Sequence, residues 1–203
     1  VSRDPLNSYL QITGSQGKTI LKSDSVYTLG GSADLMLEGK LVFAGYGWQD
    51  SLKNYDDLAG LDVKDKLVLI MTRNPEMVKK GETITGTGRR GGFMSETGKI
   101  TRIIQAGAKG VILVTDPLDT GGEMMSRIIE MGSRASYSLE GPTDTRGGFR
   151  RPGNMFVIPP GLANSIMDLS GKKLADLQKQ INNSGKPASF EFDAATAKIN
   201  LAR

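Results

Sequence analysis

The sequence predicts a mixed α/β fold, with a central sheet or barrel flanked by helices, and three observations predict it. Lys66–Met71 holds the longest apolar run in the chain, and Val111–Val114 is a second short run rich in β-branched residues. Neither alternates in polarity, as expected of strands buried on both faces. Between them, Ser95–Ala106 places Ile100, Ile103 and Ile104 on one face of a helix. Strand, crossover helix and strand in that order imply a parallel pair. Third, Ala188–Asp193 and Ala197–Leu201 alternate apolar with polar residues, the pattern of half-exposed antiparallel strands.

Taken in order, Val1–Leu37 is polar and interrupted by Gly14, Gly17, Gly30 and Gly31, with short alternating pieces at Thr19–Leu21 and Val26–Leu29 that suit edge strands. Leu41–Ala44 reads as a buried strand that leaves the sheet at Gly45-Tyr46-Gly47, where glycine permits positive φ and a sharp turn. Tyr55-Asp56-Asp57-Leu58-Ala59-Gly60-Leu61 then reads as one helical turn, with an aspartate as N-cap acceptor, Gly60 as the left-handed stop and Leu61 folding back. Asn74–Phe93 contains five glycines and no apolar periodicity, which predicts a long exposed loop. Ser95 is a candidate N-cap for the helix that follows, and Gly98 inside it costs roughly 1 kcal/mol relative to alanine. Glu123–Met131 reads as a short helix, and 133–153 as another polar, glycine-rich excursion. Met155–Ile158 is a strand closed by Pro159-Pro160, which have no N–H to give to a sheet. Leu162, Ala163, Ile166, Met167 and Leu169 mark one further helix, and Leu174, Leu177 and Ile181 another.

With 203 residues, 38% of them hydrophobic, the chain can bury a core as one domain. No run approaches the roughly 18 apolar residues of a membrane helix. The start, VSRDPLNSYL, has neither the basic head nor the apolar centre of a signal peptide, and an opening on Val1 is the expectation for a piece of a longer protein. The absence of Cys and His excludes disulfides, thiol nucleophiles, thiolate or imidazole zinc ligands and a Ser-His-Asp triad. Carboxylate, lysine, tyrosine or cofactor chemistry remains. A net charge of +4, from 26 basic and 22 acidic side chains, is compatible with a nucleic-acid partner without requiring one.

Three patterns carry candidate chemistry. Gly86-Thr87-Gly88-Arg89-Arg90-Gly91 spells a dinucleotide fingerprint, with Asp116 as the later acid, but 14 residues separate Met71 from Gly86, whereas the fingerprint needs its first glycine directly after a strand. Arg-Gly-Gly-Phe occurs at Arg90–Phe93 and again at Arg146–Phe149, with Arg89, Arg150 and Arg151 beside the two copies. If the two loops met, guanidinium groups and the rings of Phe93 and Phe149 would form a patch for an anion, a carboxylate-bearing peptide or nucleic acid. The acids Glu38, Asp50, Asp56, Asp57 and Asp62 are close enough in sequence for a carboxylate pair, although capping and turn formation account for Asp56, Asp57 and Asp62. The nine methionines read as core filler, with Met124-Met125 an exception if their helix is exposed.

Leu41–Gly47, Tyr55–Lys64 and Lys66–Ile70 together resemble the protease-associated domain inserted in secreted zinc aminopeptidases, the family of glutamate carboxypeptidase and the transferrin receptor. Its signature falls on Gly45, Tyr46, Gly47, Tyr55, Asp56, Asp57, Gly60 and Leu61, and Ile103–Val114 resembles the next block. The likeness is best over 39–116 and looser over 155–203. Asp65 stands where the family usually has glycine, and the glycine-rich loops are longer. The resemblance implies a single swivelling β/β/α domain without catalytic residues, serving a parent enzyme as a lid, a substrate-selecting surface or a protein-interaction module. It also implies that zinc belongs to the parent's catalytic domain and not to this chain. The expected partners are that domain and its peptide or protein substrate, and the expected location of the parent is secreted or periplasmic.

Overall fold

A computed structural model describes residues 4–14, 17, 19–28, 34–82, 94–119 and 154–202. Eight strands form its frame: β1 (Asp4–Thr13), β2 (Thr19–Ser23), β3 (Tyr27–Thr28), β4 (Leu35–Phe43), β7 (Leu67–Met71), β8 (Gly110–Val114), β9 (Met155–Val157) and β10 (Phe190–Ala202). They make one sheet in the order β2-β1-β10-β4-β7-β8-β9-β3. Two further strands, β5 (Gln49–Asp50) and β6 (Tyr55–Asp56), pair separately around a 3-10 turn at Ser51–Lys53. The helices are α1 (Pro75–Lys79), α2 (Met94–Gln105), α3 (Pro160–Asp168) and α4 (Leu174–Ser184).

The middle of the sheet, β4-β7-β8-β9, is parallel, and antiparallel strands extend it on both sides. Every residue of β7 and β8 is buried, because helices cover both faces. The period-two alternation of a strand sorts their side chains. Phe43, Leu69, Met71, Ile112 and Phe156 pack with Ile166 of α3 and Ile181 of α4. Val42, Val68, Ile70, Val111 and Leu113 pack with Ile100 and Ile103 of α2. Strand β4 changes character along its length. Leu35–Lys40 alternates between half-buried and exposed where it pairs with β10, and Leu41–Phe43 is wholly buried where it enters the parallel core.

The mixed α/β class and the parallel strand-helix-strand unit are as expected, and β2 and β3 stand at the two edges of the sheet. Several local expectations change. β1 is a ten-residue strand inside the sheet, between β2 and β10. The two closing strands are one, β10, whose register shifts between Glu191 and Thr196 around Ala194 at φ +55°. This bulge breaks the alternation that made them look separate. The expected loop from Asn74 starts instead as α1: Asn74 caps it by accepting from the Glu76 and Met77 N–H groups at 3.0 Å, Pro75 fits its first turn, and Met77 is buried. Ser95 falls inside α2, which begins at Met94. Asp65 sits at φ +58° with its N–H on the Gly107 carbonyl at 2.9 Å, a left-handed position where glycine is the unstrained choice. Among the described residues no helix is long and apolar enough to cross a membrane.

Candidate functional site

The residues Gly45-Tyr46-Gly47 and Tyr55-Asp56-Asp57 come together around one carboxylate. As the chain leaves β4 it turns through Gly45 at φ +51° and Gly47 at φ +63°, and the Gly47 N–H closes onto the Ala44 carbonyl. The turn aims two N–H groups inward. Tyr46 and Trp48 donate to Asp57 Oδ2 at 3.1 and 2.9 Å, and the Tyr55 hydroxyl donates to Asp57 Oδ1 at 2.7 Å. Gly45 is required twice: its φ is left-handed, and a Cβ there would run into Asp57 Oδ1 and stand 2.9 Å from Cγ. Asp57 is fully buried. Burial pushes its carboxyl up to about 6 against the pull of these donors and of Lys99. Burial, with the adjacent carboxylate, also drives the Tyr55 hydroxyl far above its ordinary range.

The expected helical turn over Tyr55–Leu61 is therefore a β-bridge followed by tight turns. Asp56 organises the turn by accepting from the Leu58 N–H at 2.8 Å, while Arg102 of α2 pairs with it at 2.8 Å. Gly60 is left-handed at φ +73°, and Leu61 folds back, its N–H on the Leu58 carbonyl at 3.1 Å. Asp57 caps nothing; its side chain is too deep. The remaining acids serve their own surroundings. Asp50 caps the 3-10 turn through the Leu52 N–H, Asp62 accepts from the Lys64 N–H and pairs with Lys66, and Glu38 is exposed.

A second buried polar group lies at the carboxyl ends of the parallel strands, the position where open α/β sheets place ligands. Arg73, just after β7, donates to both oxygens of Asp116, just after β8, at 2.6 and 2.5 Å. Gln178 of α4 donates to Asp116 at 2.5 Å and to the Tyr46 hydroxyl at 3.0 Å, and that hydroxyl donates to Asn182 at 3.1 Å. Burial raises Tyr46 to about 12. For Arg73, burial works against the charge, but the bonds and charge of Asp116 outweigh it and hold the guanidinium above its usual value. Lys99 of α2 donates to the Met71 and Arg73 carbonyls at 3.1 and 2.6 Å and stands 2.6 Å from Glu96, whose carboxyl burial also raises. Asp116, the acid of the apparent dinucleotide pattern, is thus taken up by Arg73 and Gln178. Sequence reasoning missed Arg73, Glu96, Lys99 and Gln178. The available signal was a threonine and then a charged residue after each of two buried parallel strands, Thr72-Arg73 and Thr115-Asp116.

Beside the carboxylate hub opens a cleft of about 380 Å³. One wall is the β5-β6 hairpin, with Trp48, Asp50, Lys53 and Tyr55; α1 gives Pro75, Glu76, Val78 and Lys79; α4 gives Ile181, Asn182 and, at its end, Gly185. The lining is mainly apolar and aromatic, with charge at the rim, where Lys53 bridges Glu76 and Asp50. Leu52, at the tip of the 3-10 turn, is 99% exposed. An aromatic wall beside charged residues suits a short peptide or one protruding side chain. Among the described residues no three His, Cys, Asp or Glu are grouped to hold a metal ion. Arg89, Arg90, Phe93, Arg146, Phe149, Arg150 and Arg151, the expected contact residues, and the Gly86–Gly91 pattern lie outside the described residues, as does the expected helix at Glu123–Met131.

No known protein family matches the chain by sequence, and no curated protein does. Among solved structures, the chain is similar to an aminopeptidase from Aneurinibacillus sp. strain AM-1. The superposition has a TM-score of 0.39 at 18% identity and covers 96% of this chain but 30% of that enzyme. The chain therefore spans less than a third of the enzyme it resembles.

Proposed function

We propose that this chain is a non-catalytic protease-associated domain of a zinc-dependent aminopeptidase, and that it contributes a peptide-contacting surface to the parent enzyme as a substrate-selecting lid or interaction module. The observation that carries the reading is the cleft beside the Asp57 hub: the two aromatic residues of one wall, Trp48 and Tyr55, are held in place by the turns around that carboxylate. A surface built this way recognises apolar side chains of an extended segment, with Lys53, Glu76 and Lys79 at the rim to read flanking charge. In this reading the zinc ions, their ligands and the hydrolytic chemistry belong to the parent's catalytic domain, and the parent acts outside the cytoplasm.

The test has two arms. The chain is assayed for hydrolysis of aminoacyl and dipeptide substrates with zinc added, and for binding of short apolar peptides by isothermal titration calorimetry, a readout that survives replacement of Trp48, its single tryptophan. No turnover together with saturable binding, lost in Trp48→Ala, is expected. Robust hydrolysis by the isolated chain overturns the non-catalytic reading. Salt-dependent RNA or DNA binding that weakens in Arg89→Ala/Arg150→Ala, without peptide binding, would assign the chain to anion or nucleic-acid recognition through its Arg-Gly segments instead.

A further inference from the structure

The cleft is not held open by packing alone. Trp48 is only half-buried, and Tyr55 lines the cleft while its hydroxyl is bonded to the buried Asp57. Both aromatic residues of this wall end on the same carboxylate: the Trp48 backbone N–H on Oδ2 at 2.9 Å and the Tyr55 O–H on Oδ1 at 2.7 Å. The Tyr46 N–H completes the set at 3.1 Å, and the missing Cβ of Gly45 leaves the space in which the carboxylate sits. We propose that Asp57 is the positioning residue of the cleft, its ionised carboxylate fixing Trp48 and Tyr55 in their wall and releasing them when it takes up a proton. The role assigned to the walls rests on the peptide-binding reading above; the coupling between Asp57 and the walls does not.

The chemistry of release follows from the donor count. An ionised carboxylate accepts from all three donors at once. Oδ2 already faces two backbone N–H groups, so an added proton goes to Oδ1, where the Tyr55 hydroxyl sits. Two hydrogens cannot share that 2.7 Å line. Tyr55 must turn its hydrogen away and accept instead, which leaves the hydrogen of a buried hydroxyl without an acceptor and favours displacement of the ring. The two N–H groups then donate to a neutral carbonyl oxygen, a weaker acceptor than a carboxylate.

The charged and titratable groups around Asp57 set where this happens. Tyr55 and Tyr46 donate to it, Lys99 on α2 pulls its carboxyl down, Asp56 beside it is paired with Arg102 of the same helix, and Ser189 ahead of β10 donates only to its backbone carbonyl at 2.7 Å. Burial outweighs these pulls and places the transition near pH 6. Release is local, because the neutral acid is the form that burial favours.

Trp48 reports the event without any ligand. Its emission in the free chain is recorded from about pH 4.5 to 8, in wild type, Asp57→Asn and Tyr55→Phe. The expected result is one transition with a midpoint near 6, absent in Asp57→Asn and moved to higher pH in Tyr55→Phe, which removes a donor that favours the ionised form. Glu96 is also raised by burial, but its bonds run to Lys99 and the Arg73 N–H, so a transition belonging to Glu96 would not move in Tyr55→Phe. A flat wild-type profile, or a midpoint unchanged in Tyr55→Phe, overturns the proposal; Tyr55→Phe decides it even if Asp57→Asn does not fold. In parallel, N-acetyl-Leu-Phe-amide is titrated at about pH 7.5 and 5. Occupancy that follows the ionised fraction weakens about tenfold between them. A Trp48 transition without peptide binding at the higher pH removes the peptide reading and leaves the coupling in place. Binding that is equally tight at both pH values overturns the coupling.

Discussion

Replacing Gly45 with alanine tests whether the Gly45-Tyr46-Gly47 turn exists to seat a carboxylate. Two costs add at this position. The backbone is left-handed at φ +51°, which a residue with a Cβ resists by roughly 1–2 kcal/mol. The new Cβ would also stand 2.9 Å from Asp57 Cγ, in a site with no slack, and overpacking of that kind costs about 1–3 kcal/mol. The sum is about 2–5 kcal/mol. Gly60 is the matched control, left-handed at φ +73° with nothing within 4 Å of the position a Cβ would take, so Gly60→Ala carries only the first cost. Urea denaturation of the two variants separates them through the midpoint at constant slope. Gly45→Ala should lose at least about 1 kcal/mol more than Gly60→Ala and should shift Trp48 emission, which Gly60→Ala should not. Equal losses would mean that φ alone explains the glycine and that the carboxylate has room to yield.

Two other consequences follow from the buried charges. Arg73→Met leaves Asp116 buried without its partner, at a cost of about 3–5 kcal/mol, and adding Asp116→Leu should recover part of that loss. A double-mutant cycle by urea denaturation measures the recovery, and strictly additive losses would show that the two residues are not coupled. For pH, Asp57 binds its proton more tightly folded, at about 6, than its ordinary 3.8, so its stabilising contribution is complete below 3.8 and is lost as pH rises through 6. Glu96 acts in the same sense. The chain should therefore be more stable at pH 5 than at pH 7.5 by about 1 kcal/mol, read from paired denaturation curves. Asp57→Asn should lessen that difference. Asp62, Glu76 and Glu191 have lowered values and act in the opposite sense, but their effect enters only as pH falls toward about 4 and below.

How much was legible in advance depended on whether the information was local. Strands β7 and β8 and the helix between them are written in uninterrupted apolar runs and an isoleucine face, which parallel packing between two helical layers demands. β1 was hidden because its partners, β2 and β10, are antiparallel and half-exposed, so its sequence never becomes strongly apolar. α1 was hidden among lysines and glycines; its start is encoded by the Asn74-Pro75 cap, a two-residue signal overshadowed by the composition that follows. The site failed for a different reason. Capping explained Asp56 and Asp57 equally well, and nothing local separates an aspartate that accepts from its own turn from one that accepts from a turn 11 residues earlier.

That ambiguity resolves once the two halves of the signature are taken as one object. A glycine that admits a carboxylate, a tyrosine and a tryptophan whose N–H groups aim at it, and a second tyrosine whose hydroxyl meets its other oxygen form a closed set around Asp57. Stability alone does not require such a set. A buried carboxylate must be offset by every donor around it, and an apolar side chain of similar volume often serves as well or better. A carboxylate that is ionised, buried and bonded to two residues of one cleft wall is worth its desolvation if that wall must hold one fixed geometry. The Tyr46 ring extends the same logic across the core, since its hydroxyl meets Gln178 and Asn182 on α4 and so ties the opposite wall of the cleft to Asp116 and Arg73. Two polar networks thus meet at Tyr46, one through its backbone and one through its hydroxyl, and the cleft lies where the elements they fix converge.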